Sequence, residues 1–594
     1  MTTTQTTKNH RPIGTLLGTG IWILSGVICI RIFYDISTFY SDFKIIYGLG
    51  VQSIHSKELV YWLNFLFFGS LGMCGLAVGL YRTRLPSRLR KWAEPLFERQ
   101  RTTVIVLAAL VFAAAALFRS HVLMNAPITD DESTYEFIAE TLLQGRLVNP
   151  VPSDPDFYAN QFIVINDHGW YGKYPVGHPA VLALGLALGI RNLFPPFITA
   201  LSLLVTFLIG ERIFGKKAAV IAVVLLLLSP HFVWTGATLL SQTTTTLLML
   251  LGLWATIRFD ETHRMGWGWA AGAALTWGVV ARPMPGALFL IVLFGVVALP
   301  SKGAPYITQF KTNLKYLIPV AVVAACGAAL MLYVNVQQTG EPFKTGYHEV
   351  HGDDIGVGVQ HLGSSLVAMS VGAALLRQNF WLFGWPLSLL FVWFMKRNRY
   401  FVYMLGLIGA EYAYRILVPK TVVSTTGPIY VTEIVPLLAL ATASGMVELT
   451  EALKKKGVHR AGEAVISTTV AGMIVAVFCF WPFQIAGIRS GALMWRTPYT
   501  VLTERNVTTA IVFASKMVSP RSGATWAYFP PNPSPSLDDD ILFLRIPKTE
   551  GSVRRRLVDF WKKQYPDREA FYLKLTDDST EVVPLAESPP QGKR

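Results

Sequence analysis

The feature that most constrains the fold of this chain is a succession of apolar runs, each about 20 residues long, the length at which a helix crosses the ~30 Å hydrocarbon core of a bilayer. Only 15% of the 594 residues are charged and 52% are hydrophobic, whereas an average soluble chain carries roughly 25% charge. We therefore expect an all-α polytopic membrane domain. The runs lie near residues 14–34, 61–81, 103–122, 176–211, 217–230, 236–257, 267–282, 284–300, 314–334, 380–395, 400–418, 428–447 and 462–482.

The basic residues predict the orientation of these spans. They collect in the linkers 82–101, 396–399 and 454–460, and Lys and Arg accumulate in short cytoplasmic loops. The net charge of +15 is therefore interpreted as topology, with added attraction to membrane lipid phosphates, and no nucleic acid partner is expected. The loops 124–175 and 335–379 then lie outside.

Parity fixes the number of crossings. The segment after the last span and the loop 124–175 can both lie outside only if the region 176–211 crosses once. Part of it, residues 176–191, is therefore expected to be short, interfacial or re-entrant. This gives about 13 spans, with the N-terminus inside and the C-terminus outside.

Three segments are expected along the chain. Residues 1–100 form two additional spans and a basic cytoplasmic linker, residues 101–490 form the main transmembrane domain, and residues 497–594 form a small extracytoplasmic α/β domain. The last assignment follows from strand-like and helical patches that alternate. These patches are AIVFA at 510–514, ILFLRI at 541–546, a basic helix at 551–564 and EAFYLKL at 569–575.

The acidic cluster Asp130, Asp131 and Glu132 directly follows a predicted membrane exit. Thr129 and Glu132 have the spacing of a capping box, and carboxylates in a first helical turn are stabilised by the helix dipole. Two interpretations stay open, a well-capped interfacial helix and a catalytic carboxylate site. A divalent cation at Asp130 and Asp131 is compatible with the sequence, which requires no cofactor.

The same outside loop ends in basic and aromatic residues, Lys173, Tyr174 and His178. A lysine opposite carboxylates can stabilise an anionic leaving group. The alternatives are interfacial snorkelling for Lys173 and a hydrogen-bonded structural role for His178.

Further polar residues lie at span ends and in the second outside loop. Arg282 either anchors a span at the interface or contacts a lipid phosphate. His348, three residues before His351, belongs to a polar substrate-facing loop or, alternatively, to a zinc site. Tyr430 and Glu433 open an apolar span, where an ionisable residue is a candidate for function.

The order of these motifs resembles the GT-C glycosyltransferases related to protein O-mannosyltransferases and lipid A aminoarabinose transferase. A bacterial subgroup of that superfamily is the most similar, and the resemblance covers most of the chain from about residue 100. The matching residues are Asp131, Glu132, Tyr135, Gly145, Arg146, Leu147, Asn149, Pro150, Lys173, Tyr174, Pro175, the Phe-Gly-Trp-Pro at 383–386, Gly427, Pro428, Tyr430, Glu433 and Pro436. The chain departs from the pattern at Ile429, where a basic residue is expected.

The resemblance implies a donor sugar linked to a polyprenyl monophosphate. It also implies that Asp131 is the base or lies beside the acceptor, and that Lys173 contacts the lipid phosphate. The predicted reaction is an inverting sugar transfer to an acceptor hydroxyl on a glycan, lipid or protein. It takes place at the outer face of the plasma (inner) membrane, and Asp130 and Arg282 assist.

Two other functions are considered. A transporter or flippase of polyprenyl-linked glycans would show inverted repeats around a midplane site, and the sequence has no such symmetry. A non-catalytic assembly protein would bind wall polymer through residues 497–594.

Overall fold

The computed structural model describes residues 13–40, 61–298, 306–352, 365–417, 426–514, 517–518, 527–528, 531–547, 552–575 and 580–585. Most of these residues are helical. The helices of the first half are α1 (Ile13–Tyr40), α2 (Ser70–Tyr81), α3 (Leu85–Glu98), α4 (Gln100–Leu117), α5 (Asp130–Leu143), α6 (Gly177–Ala187), α7 (Phe194–Ile213), α8 (Lys216–Leu227), α9 (Pro230–Thr235), α10 (Ser241–Thr262), α11 (Met265–Ala281) and α12 (Pro283–Ala298).

The helices of the second half are α13 (Tyr306–Thr339), α14 (Gly346–His351), α15 (Ser365–Trp381), α16 (Phe401–Leu417), α17 (Val435–Lys455), α18 (Ala461–Val475), α19 (Trp481–Glu504) and α20 (Val553–Gln564). One π-helical turn, Phe65–Gly69, precedes α2, a second, Phe118–Val122, follows α4, and a third, Ala476–Phe480, joins α18 to α19.

The chain is an integral membrane protein. Among the described residues, six helical stretches are long and apolar enough to cross a bilayer. They are Leu17–Ser37, Tyr61–Tyr81, Gln100–Val122, Phe194–Ile213, Phe310–Thr339 and Ala461–Glu504. The total of about 13 spans remains a prediction, because several other apolar helices are shorter.

Helix α6 agrees with the expectation of a short segment at 176–191. It has 11 residues, so at 1.5 Å per residue it is about 17 Å long. That length falls well below the ~30 Å of the hydrocarbon core.

The sequence prediction was wrong around residues 335–395. The loop predicted at 335–379 contains the end of α13 and most of α15, which ends at Trp381, where a span was expected to begin. Gly384 takes a φ of +71° and Pro386 follows it, and both residues interrupt helices. The segment 382–389 is therefore a turn, followed by a single 3-10 helix, Leu390–Phe394.

The first two spans pack against the last ones. The Tyr61 hydroxyl donates to the backbone carbonyl of Cys479 at 3.0 Å, and the Tyr34 hydroxyl donates to that of Phe478 at 2.5 Å. Phe33 lies edge-on to Phe483, with ring centroids 5.7 Å apart. The N-terminal spans are thus joined to the main helical core.

The C-terminal segment forms the expected small α/β fold. Its principal sheet has the strand order β6-β3-β7-β8, in which β3 pairs in parallel with β6 and β7, and β8 is antiparallel to β7. The strands are β3 (Ala510–Ala514), β6 (Ile541–Arg545), β7 (Glu569–Leu575) and β8 (Thr580–Pro584). A two-stranded ribbon, β4 (Met517–Val518) with β5 (Ala527–Tyr528), lies beside them.

This α/β fold shares a hydrophobic core with the segment 124–175. The Phe157 ring stacks on Phe560 of α20, with centroids 3.8 Å apart, and Tyr158 is hydrogen-bonded to Tyr565, with 2.8 Å between the hydroxyls. Both regions contribute to one cluster of buried side chains. The C-terminal fold therefore covers the loop that carries the acidic cluster.

Candidate active site

The acidic cluster opens helix α5, as the capping pattern predicts. Thr129 is the N-cap, and its hydroxyl accepts the backbone N–H of Glu132 at 3.2 Å. Successive helical side chains differ by about 100° in direction. The three neighbouring carboxylates therefore have different surroundings.

Asp131 faces the other predicted site residues. Its side chain is half-buried, and its carboxylate accepts a hydrogen bond from the Tyr174 hydroxyl. Asp130 is half-buried beside it, and its backbone carbonyl accepts a hydrogen bond from Thr134 at 2.7 Å. The structure thus brings the two ends of the outside loop together at Asp131.

Glu132 has a different position, because it is fully buried. Its carboxylate accepts the backbone N–H groups of Ile128 and Leu239, both at 2.6 Å. Arg119 lies 3.9 Å away and is also fully buried. These contacts join the start of α5 to the loop before α10, and they favour a structural role for Glu132 over the predicted catalytic one.

A hairpin ends at Lys173, the residue before Tyr174, which donates to Asp131. Strands β1 (Ile163–Asn166) and β2 (Gly169–Gly172) pair antiparallel, and Lys173 follows directly. Helix α14 approaches from the other side, where a Cβ on Gly346 would lie 2.7 Å from the Lys173 Cα. Only glycine permits this contact, because that distance is shorter than any normal non-bonded carbon contact.

The Lys173 ammonium lies in an aromatic cage formed by Phe162, Tyr174 and Tyr347. Its Nζ is 3.4 Å from the Phe162 ring centroid, 4.9 Å from that of Tyr174 and 5.0 Å from that of Tyr347. Aromatic faces stabilise a cation, and this offsets part of the cost of burying the side chain, which is only 5% exposed. The Nζ is also 3.2 Å from His351 Nε2.

Three tyrosines, Tyr135, Tyr174 and Tyr347, are close enough to Asp131 for its charge to shift their pKa. Burial raises the pKa of Tyr135, Tyr174 and Tyr347 above the ordinary value, and the negative charge of Asp131 raises each pKa further. These phenols therefore remain protonated and can donate hydrogen bonds. Tyr135 also contacts Ser241, with 3.1 Å between the hydroxyl oxygens.

Arg282 also lies within electrostatic reach of two of these tyrosines, Tyr135 and Tyr347. Its positive charge lowers the pKa of Tyr135 and of Tyr347, whereas the neighbouring Tyr430 raises both. Arg282 donates to the fully buried carboxylate of Glu433. The second carboxylate oxygen of Glu433, Oε2, is buried without a hydrogen-bond partner among the residues that the structure describes.

Helix α6 connects the segment 124–175 to the end of α11, the helix that precedes Arg282. A Cβ on Gly177 would lie 2.5 Å from the backbone carbon of Val280, and the Trp277 indole N–H donates to the Gly177 carbonyl at 3.2 Å. The start of α6 is therefore in backbone contact with the end of α11. Arg282 follows α11 directly, and its charge acts on Tyr135 and Tyr347, as the charge of Asp131 does.

Both predicted site histidines have structural partners. His178 is fully buried, with Nε2 2.8 Å from the Leu239 carbonyl and Nδ1 2.9 Å from the Thr244 hydroxyl. His348 Nδ1 accepts the backbone N–H of Thr345 at 3.1 Å and so caps α14. His351, three residues after His348 in the same loop, lies beside Lys173.

Among the residues that the structure describes, no group of three or more His, Cys, Asp or Glu side chains could hold a metal ion. Asp353 and Asp354, which follow His351 in the same loop, lie outside the described residues. The divalent cation at Asp130 and Asp131 remains a prediction.

Residues 174–332 match the family model of dolichyl-phosphate-mannose-protein mannosyltransferase. The predicted GT-C resemblance is confirmed. The matched segment contains Tyr174, His178 and Arg282, and it begins after the acidic helix α5. No curated protein matches the chain in sequence.

Solved structures of GT-C enzymes are similar at low sequence identity. ArnT from Cupriavidus metallidurans, bound to undecaprenyl phosphate, is 12% identical with a TM-score of 0.48, over 80% of this chain and 93% of ArnT. AglB from Archaeoglobus fulgidus, with an inhibitory peptide and a dolichol-phosphate, is 12% identical with a TM-score of 0.38, over 70% and 62%. The arabinofuranosyltransferase AftD from Mycobacteria is 14% identical with a TM-score of 0.42, over 82% and 36%.

Sequence reasoning did not assign Phe162, Tyr347 and His351 to the site. Phe162 gives no sequence signal, because nothing in a single sequence places its ring under Lys173. Tyr347 and His351 lie in the polar loop that was singled out, but the pairing with Lys173 depends on a contact between residues 178 positions apart.

Proposed function

We propose that this protein is a membrane glycosyltransferase that moves a sugar from a polyprenyl monophosphate to an acceptor hydroxyl at the extracytoplasmic face. The observation that carries the proposal is the half-buried Asp131 carboxylate, which accepts a hydrogen bond from Tyr174. The Lys173 ammonium lies 4.9 Å from the ring centroid of that same tyrosine, and the charge of Arg282 acts on Tyr135 and Tyr347 as that of Asp131 does. A general base opposite anion-binding groups is the arrangement that glycosyl transfer from a phosphate ester requires.

The donor class is supported by the family match. The matched family is named for transfer of mannose from dolichyl phosphate to protein, and a polyprenyl phosphate ester is a donor of the same chemical kind. The Lys173 ammonium binds the phosphate, and its aromatic cage keeps the side chain directed at the site between turnovers.

The reaction is a single displacement. Asp131 accepts the proton of the acceptor hydroxyl, and that oxygen bonds to the anomeric carbon while the bond from this carbon to the phosphate oxygen breaks. The electron pair of the broken bond leaves with the polyprenyl phosphate, whose charge Lys173 and Arg282 stabilise. Attack opposite the leaving group inverts the anomeric centre.

Glu433 gives a place for the sugar. Its unpaired Oε2 is fully buried, and a buried acceptor without a donor costs about 1–3 kcal/mol. A hydroxyl of the donor sugar would supply that donor, while Arg282 remains paired with the other oxygen. Sugar discrimination is therefore assigned to Glu433 and to the nearby Tyr430.

The test is turnover of a panel of labelled polyprenyl-phosphate sugars in native membranes by the wild type and by Asp131→Asn. General-base removal lowers turnover by roughly 10²–10⁴-fold, and we expect that loss with expression unchanged. The matched control is Asp167→Asn, because Asp167 is exposed in the turn between β1 and β2 of the same loop.

Each result has a defined meaning. Label that leaves the lipid with the wild type and with Asp167→Asn, but not with Asp131→Asn, supports the transferase and identifies the sugar. Donor lipid that crosses the membrane intact and is never cleaved would replace the transferase with a flippase. Equal turnover by all three proteins would exclude Asp131 as the base.

A further inference from the structure

A proline-rich segment of the C-terminal fold lies along helix α5, and we name residues 531–537 the strap. Asn532 makes three hydrogen bonds to the segment 124–175. Its backbone N–H donates to the Ser133 hydroxyl at 2.8 Å, its Nδ2 donates to the Thr134 hydroxyl at 3.3 Å, and its Oδ1 accepts from Asn160 at 2.7 Å. All the polar groups of the Asn532 side chain therefore face this segment.

The strap is stiff. Pro531, Pro533 and Pro535 fix three of its φ angles, and the first two are buried. Ser534 donates from its backbone N–H to Asp539 at 2.6 Å and from its hydroxyl to Asp538 at 2.9 Å. A preorganised segment of this kind loses little entropy when it contacts α5.

The contacts of the strap fall on the turn that carries Asp131. The first turn of α5 is fixed on one side by Glu132, through its bonds to Ile128 and Leu239. Ser133 and Thr134 point to the strap, and Asp131 points to Tyr174. Asp131, Ser133 and Thr134 belong to one helical turn, in which the direction of each side chain is fixed relative to its neighbours. A rotation of this turn would therefore move Asp131 away from Tyr174.

We propose that Asn532 is a positioning residue that sets the orientation of Asp131 from the C-terminal fold. The proposal rests on the proposed function, because its effect on catalysis requires Asp131 to be the base. The C-terminal fold then contributes to the transfer step itself, and its role is not limited to binding an acceptor.

The activity test compares Asn532→Ala and Ser133→Ala with Ser536→Ala. Ser536 lies at the other end of the strap, where it accepts a hydrogen bond from Gln144 at 3.1 Å, so it controls for loss of a strap contact remote from Asp131. Misplacement of a catalytic group by about 1 Å can cost roughly 10²-fold. We expect kcat to fall by about tenfold or more in the first two variants, with KM for the donor nearly unchanged.

The decisive arm repeats Asn532→Ala in the Asp131→Asn background. A residue that acts through Asp131 has little further effect once the carboxylate is gone, because the two changes are coupled. The same fold-loss in both backgrounds would overturn the proposal, since a general destabilisation acts independently of Asp131. A raised KM with unchanged kcat would also overturn it.

Hydrogen exchange supplies a readout that does not depend on activity. We expect faster exchange of the amides at 131–137 in Asn532→Ala and no change there in Ser536→Ala, because only the first variant frees the first turn of α5. If the wild type transfers no sugar, the proposed function fails while this result still reports on the strap. Unchanged exchange in Asn532→Ala would show that the strap does not hold the turn.

Discussion

At the scale of single residues, the hydroxyl of Tyr174 is the closest partner of the proposed base. It donates to Asp131, and the negative charge of Asp131 contributes to a pKa of Tyr174 that lies well above its ordinary value. The phenol therefore keeps its own proton, and it orients the carboxylate by donating a hydrogen bond to it.

Tyr174→Phe should consequently lower kcat by roughly 10–10²-fold, since loss of orientation at the base costs catalysis more than binding. Tyr171→Phe is the matched control. That tyrosine is also buried, but its hydroxyl contacts Asn166 at 2.9 Å. Steady-state kinetics on the labelled donor measure both variants, and equal kcat values would contradict the orienting role.

Substitutions at Arg282 and Glu433 can separate the contribution of this ion pair to stability from its contribution to turnover. Glu433→Gln alone should destabilise the protein by about 3–5 kcal/mol, because a buried charge loses its partner. Arg282→Met combined with Glu433→Leu should recover most of that stability but leave turnover reduced by roughly 10²-fold. Thermal unfolding and turnover are measured in parallel, and recovery of both would reduce the pair to an interfacial anchor.

Individual residues also mark where sequence reasoning ends. The contact between Asp131 and Tyr174 could be anticipated, because the order of these residues along one loop matches a known motif. The position of Glu132 could not, because its partner Leu239 is 107 residues away. His348 and His351 are equivalent by residue type, and only the fold of α14 directs one to its cap and the other to Lys173.

At the scale of elements, helix α5 depends on Glu132 for its attachment to the membrane domain. Glu132→Gln replaces one acceptor oxygen by an NH₂ group that faces a backbone N–H donor. A buried polar group left without a partner costs about 1–3 kcal/mol, and more where the lost interaction involves a charge. We expect a lower Tm together with lower turnover, whereas Asp131→Asn should lose turnover alone. A normal Tm for Glu132→Gln would return Glu132 to the list of catalytic candidates.

The face of α5 toward the strap predicts a pH dependence of stability. Burial raises the pKa of Glu140 from 4.5 to about 8, and the negative charges of Glu136 and Asp539 contribute. Between these two values the folded state binds a proton that the unfolded state releases, so stability falls as pH rises.

Glu140→Gln removes this dependence. Its Tm relative to the wild type should increase as the pH rises from about 4.5 to about 8 and then level off, because the wild-type carboxyl is ionised in both states above that range. The exposed Glu341→Gln is the control. A constant difference in Tm across the range would contradict the assignment.

The elements themselves were predicted unevenly. The strand patches at 510–514 and 569–575 occur at those residues, because alternating or continuous apolar runs between turn residues are a strong local signal. The span predicted at 380–395 was wrong, since periodicity cannot distinguish a membrane helix from an apolar turn that Gly384 and Pro386 interrupt. Tertiary packing determines such segments.

At the scale of the whole molecule, the segment 124–175 and the C-terminal fold behave as one packed body. Phe157 and Tyr158 lie between them, and Arg556 contacts Asp156 at 2.7 Å. A chain that ends at Glu504 should therefore lose turnover to the level of Asp131→Asn and gain protease cleavage within 124–175, because apolar side chains become exposed. Selective loss of one acceptor with other transfer retained would contradict this expectation.

The contact between Ser133 and Asn532 joins residues 399 positions apart. At a synthesis rate of roughly 5–20 residues per second, α5 emerges about 20–80 s before the strap that orients it. If Asn532 orients the base as proposed, the nascent chain inserts into the membrane with Asp131 unaligned, and transfer begins only after the strap has been synthesised. Incomplete chains left in the membrane would bind donor lipid without consuming it.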